Sequence, residues 1–344
     1  MAEKKDITIY DIADKLNLST STISRALQDH ISISQSTKKK VRQVAKELGY
    51  RPNALAASLR SNTTKNIGVL ISRINRPFMS SLITGIEMAA QKKGYNVIIS
   101  QSHDLYKDEV KMAKALYDSR ICGIICSLSM ETKITDHFNQ FIEKKIPLVF
   151  VDRVPKAFNT YRVMIDNYHA GYRATAHLIE QGCTRIAHFA GAQHINIYSE
   201  RKRGYIDALK EFNLEVDEDL IITFNTLSYK EGEQQTRKLL TSSNPPDGIF
   251  SANDTAAIAA IKCAKSLEVN VPKDLAIIGF NNDPIASIID PGLSTVTHPA
   301  IKMGEISAKK IIDHLKHKKN NDDEIMEITF LNTEIVVRGS SKRK

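Results

Sequence analysis

Residues 7–27 read ITIYDIADKLNLSTSTISRAL. Thr8, with Asp11 three residues on, has the pattern of a capping box, in which two side chains satisfy the free amides at a helix start. Ile9, Ile12, Ala13 and Leu16 follow at i, i+3, i+4 and i+7, the apolar stripe of an amphipathic helix. Asn17 tolerates the left-handed backbone that ends such a helix. Ser19 then serves as the N-cap of a second helix, whose buried face is Ile23, Ala26 and Leu27. Downstream, Ser34 caps a third helix, Val41, Val44, Ala45 and Leu48 repeat the spacing, and Gly49 stops it. Three short helices, the first two joined by a tight turn, make a helix-turn-helix unit, whose second helix enters the major groove of DNA.

In that geometry the outward residues at the start of the second helix, Thr20, Ser21 and Arg25, face base edges. An arginine there can bind guanine O6 and N7 with two hydrogen bonds, and the hydroxyls can bond a base or touch a thymine methyl. Thr22, Ser24, Ser34, Thr37 and Lys38 are placed for phosphates, which fix position but carry no sequence information. Charge agrees. Of the net +9, residues 1–65 supply +6, with 12 Lys and Arg against 6 Asp and Glu. A basic head on a near-neutral body suits a polyanionic partner for the head.

Next comes RPNALAASLR, residues 51–60. Pro52 suits a turn, Asn53 can cap a helix, and Leu55 and Leu59 fall on one helical face among small alanines. So short a helix is marginal alone and needs a partner surface.

The runs ITIYDIADKLNLSTSTISRAL and VRQVAKELGYRPNALAASLR resemble the N-terminal region of the lactose and purine repressor family over residues 7–61. The resemblance implies a hinge helix that folds when two subunits pair on DNA. Leu59 would wedge into the minor groove at the operator centre, as apolar wedges do when they unstack a base step. It also implies that Ala56 lies where the two hinge helices approach, that Arg60 reaches a base or phosphate beside the wedge, and that Asn53 belongs to the DNA-binding set. The expected partner is double-stranded, palindromic operator DNA met by a homodimer, since two half-sites match a twofold protein.

After the polar linker SNTTKN (61–66), apolar strand-like runs alternate with amphipathic helical segments: IGVLIS (67–72), NVIIS (96–100), CGIICSL (122–128), PLVFV (147–151), RIAHFA (185–190), GIFSA (248–252) and LAIIGF (275–280). Such alternation means an α/β body of doubly wound parallel sheets, with ligands at the carboxyl ends of the strands. Two similar halves are visible, opened by IGVLIS and by RIAHFAG. By resemblance this is the two-lobed, periplasmic-binding-protein-like (type I) body of the same family. The domains expected are a helix-turn-helix head over 1–50, a hinge and linker over 51–65, and an effector and dimerisation body over 66–340. Within the body, lobe one covers about 66–163 and 297–325, and lobe two about 164–296 and 326–340.

Polar residues at strand ends supply a candidate cleft. Asn75 and Phe78 follow the first strand, Asp152 ends PLVFV, Asp166 ends RVMID, Asn253 ends GIFSA and Asn281 ends LAIIGF. Arg201, in SERKRGY, stands where the family places a ligand-binding arginine. Arginine with carboxylates and carboxamides can hold hydroxyls by paired hydrogen bonds. Asp152 with Arg153 is also consistent with a plain turn pair, and Asp254 reads as a helix cap. Two positions depart from the family: Asn281 where aspartate is usual, and Leu227 where an aromatic often stacks on the ligand. The expected effector is a small carbohydrate or derivative.

Other classes are poorly supported. The sequence has no glycine-rich phosphate loop, no H-E-x-x-H zinc site and no G-x-S-x-G turn, and its histidines form no ligand spacing, so no enzyme, metal site or cofactor is expected. His188 and His194 read as core or loop residues. Cys122, Cys126, Cys183 and Cys263 read as buried thiols. MAEKKDIT has no signal-peptide character and no apolar run spans a membrane, so the expected location is cytoplasmic. A solute-binding protein for uptake is the alternative the body alone would allow. The tail TEIVVRGSSKRK reads as basic and frayed, with no leucine heptad for a tetramer.

Overall fold

A computed structural model describes residues 7–50, 64–155, 159–320 and 326–343. Residues 51–63, with Asn53, Ala56, Leu59 and Arg60, lie outside the described residues. The chain divides into two compact units, Met1–Thr63 and Thr64–Lys344.

In the first unit three helices form: α1 (Ile9–Leu16), α2 (Thr20–Leu27) and α3 (Gln35–Leu48). The Thr8 amide and hydroxyl both donate to the Asp11 carboxylate at 2.6 Å. Asn17 and Gly49 end their helices in the left-handed conformation, φ 50° and 70°. Ile12, Ala13, Ile23, Ala26, Val41 and Ala45 are the buried centre. These are the positions whose spacing predicts the helices.

The second unit contains two six-stranded sheets. Sheet one takes β1 (Asn66–Ile71), β2 (Asn96–Gln101), β3 (Gly123–Cys126), β4 (Leu148–Val151), β5 (Tyr161–Ile165) and β11 (Ile328–Leu331), in the order β11-β5-β4-β3-β1-β2, all parallel. Sheet two takes β6 (Ile186–Ala190), β7 (Ile221–Thr223), β8 (Gly248–Ser251), β9 (Ala276–Asn281), β10 (Ser294–Thr297) and β12 (Ile335–Val336), in the order β12-β10-β9-β8-β6-β7; its strands are parallel except for β12, which is antiparallel to β10. Between strands lie α4 (Pro77–Gln91), α5 (Tyr106–Asp118), α6 (Asn139–Glu143), α7 (Asn167–Glu180), α8 (Asn196–Glu211), α9 (Tyr229–Leu240), α10 (Asp254–Ser266) and α11 (Ala300–Asn320).

The two lobes are built alike at one further level. In lobe one α4 crosses α11 at Gly85 and Gly304; in lobe two α7 crosses α8 at Gly171 and Gly204. A methyl group at Gly85 would overlap the carbonyl of Ile301, and one at Gly204 the carbonyl of Tyr168. Hydrogen in place of a side chain is what lets each helix pair approach backbone to backbone.

The last crossing between lobes differs from the expectation. β11 pairs in parallel with β5 in lobe one, so the chain changes lobes at 332–334, not near 326. The run ITFLNTEIVV is continuously strand-like, and only pairing shows that it serves two sheets. The tail also departs from the frayed reading. Ser340 and Ser341 are fully buried, the Ser340 hydroxyl donates to the Ile277 carbonyl at 2.6 Å, and Arg343 donates to the carbonyls of Pro272 and Asp247, each at 2.7 Å. The tail's polar residues are spent on hydrogen bonds within lobe two, to backbone and side chains alike, which a count of charges cannot reveal.

Candidate functional site

The head presents one polar helix face. Ser19 accepts from the Thr22 amide at 3.2 Å, which starts α2 and leaves Ser21 and Arg25 exposed, with Thr20, Thr22 and Ser24 half-buried beside them. Ser34 is exposed and accepts from the Thr37 amide at 3.2 Å, and Thr37 is half-buried. The Arg25 guanidinium forms no ion pair among the described residues. Lys38 departs from the phosphate-contact expectation. It is 4 % exposed, and its ammonium is committed to Asp29, 3.1 Å from both the carboxylate and the carbonyl. It holds the turn after α2 rather than facing solvent.

The body closes over a cavity of about 70 Å³ between its lobes. Parallel strands end on this side, so the loops after β1, β4, β8, β9 and β10 all reach it. Phe78, Asp152, Arg201, Leu227, Asn253 and Asn281 line it. Asn75 does not: it is exposed in the turn before α4, and Arg76 takes the rim position. Asp166 does not either. It is the N-cap of α7, accepting from the His169 amide at 2.9 Å and facing the His169 ring at 2.7 Å. Asp254 is not the cap of α10, a role taken by Asn253, which accepts from the Ala256 amide at 2.9 Å. The Asp254 carboxylate is fully buried and accepts from the Asp283 amide and the Thr295 hydroxyl, both at 2.7 Å.

Several lining residues are not among the predicted ones, Arg76, Asp104, Arg153, Tyr198 and His298 among them. Arg153 lies beside Asp152 in sequence, so that pair is no plain turn. It donates to Asp104 at 2.6 Å and to the Tyr198 hydroxyl at 3.3 Å, the latter across the lobes. The Val154 amide donates to Asn196 at 3.0 Å across the same seam. His298 sits on the segment that crosses from β10 to α11, stacked on Phe78 with ring centroids 4.0 Å apart, its Nδ1 3.2 Å from Asn281 Oδ1. Its one local signal is the neighbouring Pro299 at a lobe crossing.

The cavity holds buried ionisable groups with shifted protonation and unsatisfied polar atoms. Burial raises the Asp152 carboxyl above its usual range, partly offset by Arg153 and Arg201. Burial lowers Arg201 to about 10, and burial with the nearby Arg201 charge keeps His298 neutral. Asp152 Oδ1, Arg153 Nε, Arg201 Nη2 and His298 Nε2 are all buried without a hydrogen-bond partner. Such orphans cost free energy unless a ligand or water satisfies them. Backbone strain gathers here too. Asp104, Asp152, Leu227 and Asn281 line the cavity with φ of 67°, 63°, 49° and 112°. Conformations of this kind are retained where surrounding structure holds a site in shape. His188, by contrast, is a core residue, stacked on Tyr205 and Phe250.

A helix-turn-helix head joined to a two-lobed body with a polar interlobe cavity defines a ligand-responsive transcriptional regulator. Residues 8–53 match the bacterial regulatory proteins of the lacI family, and residues 175–341 match a periplasmic binding protein-like domain. The ribose operon repressor of Halalkalibacterium halodurans is 32% identical over 338 residues, covering 97% of each chain. Among solved structures, a transcriptional regulator CelR–cellobiose complex superposes with a TM-score of 0.73 at 25% identity, over 97% of this chain and 99% of that one. The lac repressor dimer bound to operator and the anti-inducer ONPF gives 0.82 at 22% identity, over 98% and 99%. The chain belongs to the lacI family of bacterial regulatory proteins. It is a DNA-binding transcriptional regulator and not an enzyme, which sets aside the uptake-protein alternative. No helix among the described residues is long and apolar enough to cross a membrane.

Proposed function

We propose that the protein is a cytoplasmic, homodimeric repressor of carbohydrate catabolic or transport genes, with its effector bound between the lobes of the body. The head, residues 1–50, reads a palindromic operator through Thr20, Ser21 and Arg25. The hinge, residues 51–65, adds DNA contacts from Asn53, Ala56, Leu59 and Arg60. The effector is a sugar or sugar derivative held by Phe78, Asp152, Arg201, Asn253 and Asn281, together with Arg153 and His298. One observation carries the ligand class: two unpartnered donors and two unpartnered acceptors, all buried, converge on one cavity. A hydroxyl both donates and accepts, so a polyhydroxylated molecule satisfies such a set. Ligand shifts the balance between arrangements of the lobes, and the hinge transmits it. Fluorescence-anisotropy titration of operator DNA, with and without a panel of sugars and sugar derivatives, tests this reading. At least one should change operator affinity by roughly 5–150-fold, the range of a typical allosteric coupling. Operator affinity indifferent to every carbohydrate tried would sink the effector assignment.

A further inference from the structure

Five charged side chains line the interlobe cavity, Arg76, Arg153 and Arg201 against Asp104 and Asp152. Just outside it, Arg73 reaches Asp104 at 3.6 Å and Asp283 faces Arg76, so the flanking charges cancel. The lining keeps one positive charge in excess. Arg153 has a carboxylate partner in Asp104, 2.6 Å away. Arg201 has none hydrogen-bonded to it. Its Nε and Nη1 go to the neutral oxygens of Asn167 and Ala252, both at 2.9 Å, and its guanidinium lies 3.4 Å over the Phe280 ring. Its Nη2 is unpartnered although the residue is only 2 % exposed.

Two helix N-termini, one from each lobe, add to this field. α4 begins after Arg76 and α8 after Ile195, and neither has a side-chain cap. The first-turn residues Phe78, Met79 and Ile197 line the cavity. Free amides at a helix start, with the helix dipole behind them, favour a negative charge. The unpartnered acceptors Asp152 Oδ1 and His298 Nε2 call instead for hydroxyl donors.

We propose that the effector is a polyhydroxylated anion, a sugar carrying one carboxylate or phosphate ester, whose charged group sits against Arg201 and the two helix N-termini while its hydroxyls donate to Asp152 and His298. This rests on the carbohydrate reading above and narrows it. A buried guanidinium whose hydrogen bonds reach only neutral oxygens gains an ion pair when the ligand brings an anion, which a neutral sugar cannot supply.

Calorimetric titration of the full-length protein with matched sets tests it: ribose, ribonate and ribose 5-phosphate; glucose, gluconate, glucuronate and glucose 6-phosphate. In at least one set an anionic member is expected to bind at least about tenfold tighter than its neutral parent, and the carboxylate and phosphate arms tell which group is read. Asn281 lines the cavity as a neutral residue, so Asn281→Asp adds a negative charge and should erase that preference. Arg76→Gln, at the half-buried rim, should weaken the preference in the same direction and serves if Asn281→Asp fails to fold. Neutral parents binding as tightly as their anions in every set that binds would overturn the charge inference and leave the carbohydrate reading standing. No binding by any member, neutral or anionic, would overturn both.

Discussion

His298 Nε2 and Asp152 Oδ1 face each other at 3.6 Å inside the cleft, both buried and neither hydrogen-bonded. With Asn281 Oδ1 accepting from His298 Nδ1–H, the Nε2 atom carries a lone pair, so two acceptors oppose one another. In the proposed carbohydrate reading, ligand hydroxyls donate to both atoms. His298 also touches Phe78 of lobe one and Asn281 of lobe two from a segment that crosses between them. It therefore contacts both halves of the body at the cleft, as Arg153 and Val154 do.

His298→Ala should lower effector affinity by at least about tenfold, the scale of one lost hydrogen bond to a buried polar group. Operator binding without effector should be retained, because the change leaves the head untouched. Paired calorimetric and operator titrations check both halves of the statement. Full effector affinity in the variant would remove His298 from the site.

Arg25→Ala should cost about 1–3 kcal/mol of operator affinity and relax specificity at one base pair of each half-site. A phosphate contact would instead weaken binding evenly across sequences and reduce the salt slope by about one. Titration against operator variants at two salt concentrations separates the two, and an unchanged affinity and base preference would contradict the recognition role.

Asp254→Asn should stabilise the body at alkaline pH. Burial pushes the Asp254 carboxyl up to about 8, whereas unfolded it ionises in the ordinary range near 3.8. Between those values the folded state holds the extra proton, so this carboxyl's contribution to stability falls as pH rises and is lost by about pH 8. Asparagine cannot ionise, and it can still accept from the Asp283 amide while donating to the Thr295 hydroxyl. Thermal unfolding should show the variant's advantage growing as pH rises, reaching several degrees by pH 8 and vanishing only near pH 4. A constant offset across pH would contradict the buried-carboxyl account.

Gly204→Ala should destabilise the body by roughly 1–3 kcal/mol, the usual cost of overpacking. The added methyl meets the Tyr168 carbonyl, which belongs to the helix backbone and has little room to yield. Arg201 lies one turn earlier on the same helix, so effector affinity should fall with stability. A melting temperature equal to the parent's would mean the α7–α8 crossing is looser than it looks.

Much of the fold follows from local pattern. The stripes Ile9–Ile12–Ala13–Leu16 and Val41–Val44–Ala45–Leu48 specify helices whatever surrounds them, and the caps at Ser19 and Ser34 set where they begin. Strand-end polar residues were legible because a parallel sheet sends every strand's carboxyl end to one side. That rule cannot separate residues that enter the cleft from residues that cap the next helix. Asn253 does both, Asp166 only caps, and Asn75 does neither.

By itself, the sequence determined the head and the alternation of strands and helices, because each rests on periodicity or capping within one short stretch; the arginine of the cleft came from the resemblance of SERKRGY to the family. Only the tertiary structure decided which side chains meet. Lys38 turned inward to Asp29, β11 joined the first sheet and β12 the second, the tail docked its serines, and His298 came to stand before Asp152 from 146 residues away in the chain. The reason is physical: propensity and capping act over a few residues, whereas burial, charge pairing and the sharing of a cavity are settled only when distant segments pack.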